Sequence, residues 1–322
     1  QILNSRDLHS FKAILRMSQP KLHNAVYQML KNIYPADKVT KTPDAVCAEG
    51  TIPICLVAHL DTVFASPPSE IYYDKEANVM WSPDGLGADD RAGVFSILKI
   101  LSAGYLPHVV FTTDEESGAV GASNLVQHEC PFKELDYIIE LDRANATDCV
   151  FYEGANYEFE DYVESFGFVT ALGSFTDIVE LCPAWGVSGV NLSIGYRDEH
   201  TTSEILFIGQ MLATIEKVKK MLDAHDRKKF PFISEYEGTC KCNSCGKVRS
   251  SYMMIPVSVD DKNHKIWLCG DCVANEQVEW CDYCYEGFMP GILNKDKLCP
   301  ECERLKKNGF TRTVFGNTRA IQ

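Results

Sequence analysis

No apolar run in these 322 residues approaches the roughly 20 needed to cross a bilayer; the longest, such as residues 52–58, fall far short. Nor does a charged-then-apolar leader open the chain, so the expectation is a soluble, cytoplasmic protein with no membrane partner. Low-complexity tracts are missing, and with 45% hydrophobic and 24% charged residues the composition excludes disorder, collagen and coiled coil. Positive charge is in deficit, 31 Lys and Arg against 45 Asp and Glu, a net −14. That balance argues against a general affinity for nucleic acid or anionic membranes and suits metal binding.

What the chain has in excess is cysteine, unevenly placed. Five of the 14 (Cys47, Cys55, Cys130, Cys149, Cys182) are scattered over the first 239 residues, and nine crowd between Cys240 and Cys302. Charge divides at the same place: from residue 240 onward 12 basic residues face 10 acidic ones, which leaves 19 against 35 before it. Two domains are expected, residues 1–225 and 240–322, joined over 226–239 by a mixed-charge stretch containing Phe230-Pro-Phe232.

The first domain alternates short β-branched runs with helical patterns. Residues 52–58, 109–112, 137–141 and 189–194 read as strands. Val94, Phe95, Ile97, Leu98 and Leu101 have helical spacing, as do Ile205, Ile208, Leu212, Ile215, Val218 and Leu222. The pattern predicts an α/β fold, a central sheet covered by helices on both faces.

In such sheets the ligand site lies beyond the carboxyl ends of the strands. The first strand runs into His59-Leu-Asp61-Thr62, and a glycine-rich loop carries Asp89-Asp90-Arg-Ala-Gly93. The next strand runs into Asp114-Glu115-Glu116, another into Glu140-Leu-Asp142, and Tyr196, Arg197 and His200 follow the last. Taken singly, each has a bland reading as surface charge, turn or helix cap. Carboxylates at consecutive strand ends repel one another unless a multivalent cation neutralises them, and histidines among them suit zinc.

The ordered motifs His-x-Asp-Thr, Gly-Ala-Asp-Asp-x-Ala-Gly, Asp-Glu-Glu-x-Gly, a later Asp and a final His before Thr-x-x-Glu resemble the co-catalytic dizinc peptidase superfamily. Peptidase T, carboxypeptidase G, and glutamyl and leucyl aminopeptidases are members. The resemblance implies a three-layer α/β/α domain with a central mixed sheet. It implies that His59, Asp89 and Asp142 hold one zinc and that Asp89, Glu116 and His200 hold the other. Asp61 would then orient His59, Glu115 would act as general base, and the Asp89-Asp90 peptide would be cis. Asp177 either orients His200 or caps a helix, and Arg197 either meets a substrate carboxylate or lies on the surface. Only 57 residues separate Asp142 from His200, so the lid domain of many relatives has no room here, which favours an aminopeptidase. Specificity is expected in the loops 64–80 and 149–173.

Four Cys-x-x-Cys pairs follow: Cys242/Cys245, Cys269/Cys272, Cys281/Cys284 and Cys299/Cys302. Eight thiolates at that spacing make two structural Cys₄ zinc sites, in sequential pairing or as an interleaved cross-brace, with Cys240 left over. Zinc binding would supply much of the folding free energy of so small a zinc-ribbon domain. Its basic end (Arg304, Lys306, Lys307, Arg312, Arg319) leaves nucleic acid or an acidic partner open, and its aromatics (Trp267, Trp280, Tyr283, Tyr285, Phe288) serve either as core or as a protein-binding face. Four Zn²⁺ are expected in all, two catalytic and two structural. The leading reading is a metallopeptidase acting on a peptide or N-acyl amino acid substrate, and a homo-oligomer is compatible with it. The competing reading is a zinc-ribbon adaptor built on an inactive peptidase-like scaffold.

Overall fold

The computed structural model describes residues 2–234, 239–250, 254–260, 264–307, 310–312 and 318–320. The chain divides into two compact units, Gln1–Ile233 and Ser234–Gln322. Their boundary falls within the stretch expected to link them, but the first part of that stretch closes onto the larger unit. Phe230 is buried there, its N–H donating to the Asp136 carbonyl at 3.0 Å, because an aromatic side chain has more to gain from the core than from solvent. Residues 235–238 lie outside the described residues.

The larger unit begins with α1 (Ser5–Leu15), capped by the Asn4 side chain, and α2 (Gln19–Ile33), which has Pro20 in its first turn. Then come β1 (Val39–Lys41), β2 (Ala45–Ala48), β3 (Ile52–His59), β4 (Tyr72–Asp74), β5 (Val79–Trp81), α3 (Ala88–Ser102), β6 (Pro107–Thr112) and α4 (Val120–Leu125). The order continues β7 (Tyr137–Arg143), β8 (Asp148–Val150), α5 (Tyr157–Glu164), β9 (Val169–Thr170), α6 (Ile178–Trp185), β10 (Gly189–Ser193), β11 (Tyr196–Arg197), β12 (Ile205–Phe207) and α7 (Ile208–Ala224).

Eight strands form one mixed sheet in the order β1-β2-β6-β3-β7-β10-β8-β9, and β11-β12-β5-β4 form a small second sheet. The main sheet is the middle of three layers because its strands alternate between two cores. Ile54, Leu56, Ala58, Val109, Phe111, Tyr137 and Ile139 join α1, α2, α3, α5 and α7 on one face. Cys55, Val57, Val110 and Ile138 join α4 and α6 on the other. No described helix is long and apolar enough to cross a membrane.

The second expected helix starts late. Ile205, Leu206 and Phe207 pair with Trp81, Met80 and Val79, so β12 occupies the first residues of that apolar pattern and the helix starts at Ile208. The residues between Asp142 and His200 complete the main sheet and form no lid. The expected specificity loops are partly strand and helix: β4 and β5 lie in the first, and α5 and β9 in the second.

The smaller unit is built from hairpins and short helices: β13 (Thr239–Lys241), β14 (Val248–Ser250), β15 (Met254–Ser258), β16 (Lys265–Cys269), α8 (Gly270–Asn275), β17 (Glu279–Trp280), β18 (Gly287–Phe288), α9 (Pro300–Lys307), β19 (Phe310–Arg312) and β20 (Thr318–Ala320). Its two small cores gather around cysteines, Cys242, Cys269 and Cys272 with Met254, Val257 and Leu268, and Cys281, Cys299 and Cys302 with Phe288 and Leu298.

Candidate metal centre at the ends of three parallel strands

Strands β6, β3 and β7 are parallel neighbours at the centre of the sheet, so their carboxyl ends open at one edge. His59 is the last residue of β3 and is buried. Its Nδ1 lies 3.2 Å from Asp61 Oδ1, and the Asp61 carboxylate also accepts the backbone N–H groups of Glu115 at 3.1 Å and Glu116 at 3.0 Å. Glu115 and Glu116 follow β6 in a single 3₁₀ turn entered through Asp114 at φ +55°.

Asp89 and Asp90 open α3 with non-helical backbone angles, and the peptide bond between them is cis. The buried Glu204 carboxylate accepts the N–H groups of Gly87 at 2.5 Å and Asp89 at 3.0 Å, which fixes this entrance to the helix. Asp90 turns inward and accepts the N–H groups of His59 at 3.3 Å and Gly93 at 2.8 Å. A Cβ at Gly93 would stand 2.4 Å from Asp90 Oδ1 and 2.3 Å from the Leu141 carbonyl, so the close approach requires glycine.

Asp89 faces outward between two imidazoles. Its Oδ1 lies 3.1 Å from His59 Nε2 and its Oδ2 lies 3.1 Å from His200 Nε2. On the first side Asp142 Oδ1 stands 3.4 Å from His59 Nε2, and Glu115 Oε2 stands 3.9 Å away. On the second, Glu116 Oε2 is 2.9 Å from His200 Nε2. His59, Asp61, Asp89, Glu115, Glu116, Asp142 and His200 are thus brought together from five segments.

Asp142 has supports that the motifs did not reveal. The Tyr196 hydroxyl donates to Asp142 Oδ1 at 3.1 Å and Thr176 Oγ1 to Oδ2 at 3.2 Å. Asn191 on β10 takes the Asp142 N–H at 2.9 Å and donates to its carbonyl at 3.1 Å. Asp177, expected either to orient His200 or to cap a helix, instead accepts the Thr112 hydroxyl from below the site and makes no side-chain cap. Arg197 is exposed, with its guanidinium 4.7 Å over the Phe207 ring, so the surface reading of that residue holds.

So many acids in one buried place raise one another's affinity for protons. Burial pushes Glu115 up to about 9, with Asp142, Asp177 and Asp89 adding to the effect, and Glu116 up to about 7, with Asp89 adding. Asp142 rises to about 6 through burial and Asp89. Burial alone would lower His59, but Asp142, Asp61 and Asp89 outweigh it and hold the imidazole well above its usual range. A hydrogen bond to Asp89 raises His200 to about 9. Glu116 Oε1 is buried with no hydrogen-bond partner. Unneutralised carboxylates, an orphaned oxygen and imidazole nitrogens together fit divalent cations, with zinc favoured by the mixed N/O donor set. Ligand atoms of His59, Asp89 and Glu116 come within 4.8 Å of one another, as do those of His59, Asp90 and Asp142. The Asp90 oxygens already serve backbone amides, which makes it a support.

In the smaller unit Cys242, Cys245, Cys269 and Cys272 form one group of thiols within 4.8 Å, and Cys281, Cys284, Cys299 and Cys302 form a second, the sequential pairing. All eight are free of disulfides. Backbone N–H groups already point at the sulfurs, Cys269 to Cys242 Sγ at 3.4 Å and Cys299 to Cys281 Sγ at 3.3 Å, which stabilises thiolates. Of the aromatics, Phe288 lies in the second core with Tyr283 packed against it, Trp267 packs against the first, and Trp280 and Tyr285 are exposed. Lys307 at the basic end pairs with Glu303 at 2.8 Å. The side chains of Cys240, Arg312 and Arg319 lie outside the described residues.

Residues 45–168 match Peptidase family M28. No curated protein matches the sequence. Among solved structures, the aminopeptidase PepT from Bacillus cereus is similar over 69% of this chain and 98% of its own, at 14% identity and a TM-score of 0.56. A tripeptidase from Staphylococcus aureus is similar over 69% and 98%, at 14% and 0.52. An aminopeptidase from the archaeon Desulfurococcus kamchatkensis is similar over 69% and 96%, at 14% and 0.54. The larger unit is similar in fold to these peptidases, and the M28 match lies within it.

Proposed function

We propose that this peptidase-fold protein is a dizinc aminopeptidase whose smaller unit is folded around two further zinc ions. The observation that carries the reading is the Asp89 carboxylate, which offers one oxygen beside each histidine, as a ligand shared by two cations must. His59, Asp89 and Asp142 would hold one ion, and Asp89, Glu116 and His200 the other. When bound, such a pair polarises the substrate carbonyl and lowers the pKa of a water toward neutrality.

The chain's own residues do the rest. Asp61 holds the His59 ring by its Nδ1 side, leaving Nε2 turned into the site. Glu115 shares the site with His59 but belongs to neither ligand set, which leaves its carboxylate to take the proton of the attacking water and deliver it to the departing amine. Tyr196 and Thr176 each engage one oxygen of Asp142 and so fix its orientation. An acidic cleft without a lid domain favours a substrate whose free amine enters it.

The test is metal analysis combined with turnover of aminoacyl-p-nitroanilides and N-acyl amino acids, with and without chelator. The expected result is about four zinc ions per chain and chelator-sensitive release from the aminoacyl substrates. Full zinc loading with no turnover of either class would favour an adaptor role.

A further inference from the structure

The cavity over the ligands has a volume of ≈ 150 Å³ and is lined by Asp89, Glu115, Glu116, Asp142 and Glu199 on its acidic side. The same cavity is lined by Arg143, the residue that follows Asp142 at the end of β7, together with Tyr152, Ser174 and Phe175. Arg143 is the one lysine or arginine in this lining.

Its hydrogen bonding is incomplete. A guanidinium carries five N–H donors. One of the terminal nitrogens, Nη2, donates to the Leu172 carbonyl at 2.9 Å, while Nε is buried with no partner. Among the described residues Arg143 forms no salt bridge, although five carboxylates line the same cavity. The Leu172 carbonyl takes one terminal nitrogen of the fork. A planar, permanently charged fork with spare donors matches a carboxylate in two-pronged fashion, which a neutral amide cannot imitate.

We propose that Arg143 is a carboxylate anchor that sets specificity: the preferred substrates carry a carboxylate on a residue adjoining the scissile bond. Arg143 lines the same cavity as the proposed ligands Asp89, Glu116, Asp142 and His200, which places the anchored carboxylate near the reacting bond. Two sources supply this chemistry, the α-carboxylate of a very short peptide and the side chain of an acidic residue. The inference rests on the dizinc aminopeptidase reading.

The experiment uses the zinc-loaded full chain and compares kcat/KM for Leu-Gly with Leu-Gly-amide, and for glutamyl- with leucyl-p-nitroanilide. The wild type is expected to prefer the anionic member of at least one pair by about tenfold or more, as a charge-assisted hydrogen bond predicts. In Arg143→Met that ratio collapses toward one, and Arg143→Lys restores part of it. Preference for Leu-Gly over its amide identifies the α-carboxylate, and preference for the glutamyl substrate identifies the side chain. Titration calorimetry with the slowly cleaved D-Leu-Gly and its amide should show the same contrast at equilibrium. Chelator-sensitive turnover of the leucyl substrate with no anionic preference, or a preference that survives in Arg143→Met, overturns the anchor while leaving the aminopeptidase reading intact. Absence of all turnover with zinc bound overturns that reading and the anchor with it.

Discussion

The backbone N–H of Glu115 donates to Asp61 Oδ1 at 3.1 Å, and the same oxygen lies 3.2 Å from His59 Nδ1. One carboxylate therefore ties the end of β3 to the turn after β6, so the orientation of the proposed ligand His59 and the position of the proposed base depend on each other. Asp61→Asn keeps the size but removes the charge. Zinc affinity of the catalytic pair should fall about 10–100-fold, the usual cost of losing the partner behind a ligating histidine. Competition against a chromophoric chelator measures this, and an unchanged affinity would remove Asp61 from the site.

Glu115→Gln separates binding from chemistry. Glu115 Oε2 is 3.9 Å from His59 Nε2, and the two proposed ligand sets are complete without it. The variant should keep its full zinc content and lose turnover by about 10²–10⁴, the range assigned to general acid–base catalysis. If the zinc content falls as well, Glu115 is a ligand and the base must be sought elsewhere.

Tyr196→Phe removes only the hydroxyl that donates to Asp142 Oδ1. A hydrogen bond to a charged group contributes roughly 1.5–3 kcal/mol to stability, so the melting temperature should fall by a few degrees, and because the hydroxyl also orients Asp142, kcat/KM should fall about tenfold or more. A fall in melting temperature with activity retained would make the contact purely structural.

How legible was this in the chain? The strands that carry the site were readable because buried parallel strands are short, β-branched and continuous, and each runs straight into its acid or histidine: residues 52–58 into His59, residues 137–141 into Asp142. The eight candidate metal-binding cysteines were readable from two-residue spacing, but which pairs share a site was settled only by the fold, which groups them in sequence. The supports of Asp142 were not, since Thr176, Asn191 and Tyr196 meet it only after β7, β10 and α6 have packed. Asp177 misled for the same reason: it precedes a helix in sequence, yet the neighbouring β6 offers the Thr112 hydroxyl, and that contact took the side chain. At Ile205 a helical period and a strand edge were both available, and pairing with Trp81 on β5 decided it.

The smaller unit should depend on its metals. Among the described residues, Cys281 and Cys302 are completely buried in a core with Phe288, Leu298 and Cys299, against which Tyr283, Ile292 and Leu293 pack, too little apolar surface to hold a fold alone. Cys302→Ser should lower the metal content by about one ion per chain, and limited trypsin digestion should then cut after Lys295 and Lys297 faster than in the wild type. Equal resistance with one ion fewer would show that the metal does not hold this region together.

Away from the metal centre, His108 on β6 predicts acid sensitivity. Its Nδ1 accepts the Gly50 N–H at 2.9 Å, so Nε2 carries the proton and donates to the Glu134 carbonyl at 2.7 Å. The ring also stacks on Phe132 with centroids 4.4 Å apart, and the Gly50 N–H occupies the Nδ1 lone pair that a second proton would need. Burial, helped by Lys38, lowers the pKa from 6.5 against the opposing effects of the Glu134 carbonyl and Glu49. In the unfolded chain the imidazole titrates near its ordinary value, so below about 6.5 the unfolded state binds more protons than the folded one, and stability falls as pH falls through that window. His23, also lowered by burial, acts in the same direction. Urea unfolding at pH 7 and pH 5 should show this loss in the wild type. His108→Gln should start less stable at pH 7, having lost the stacked ring, and should lose less between the two pH values; an equal loss in both proteins would assign the acid sensitivity to other groups.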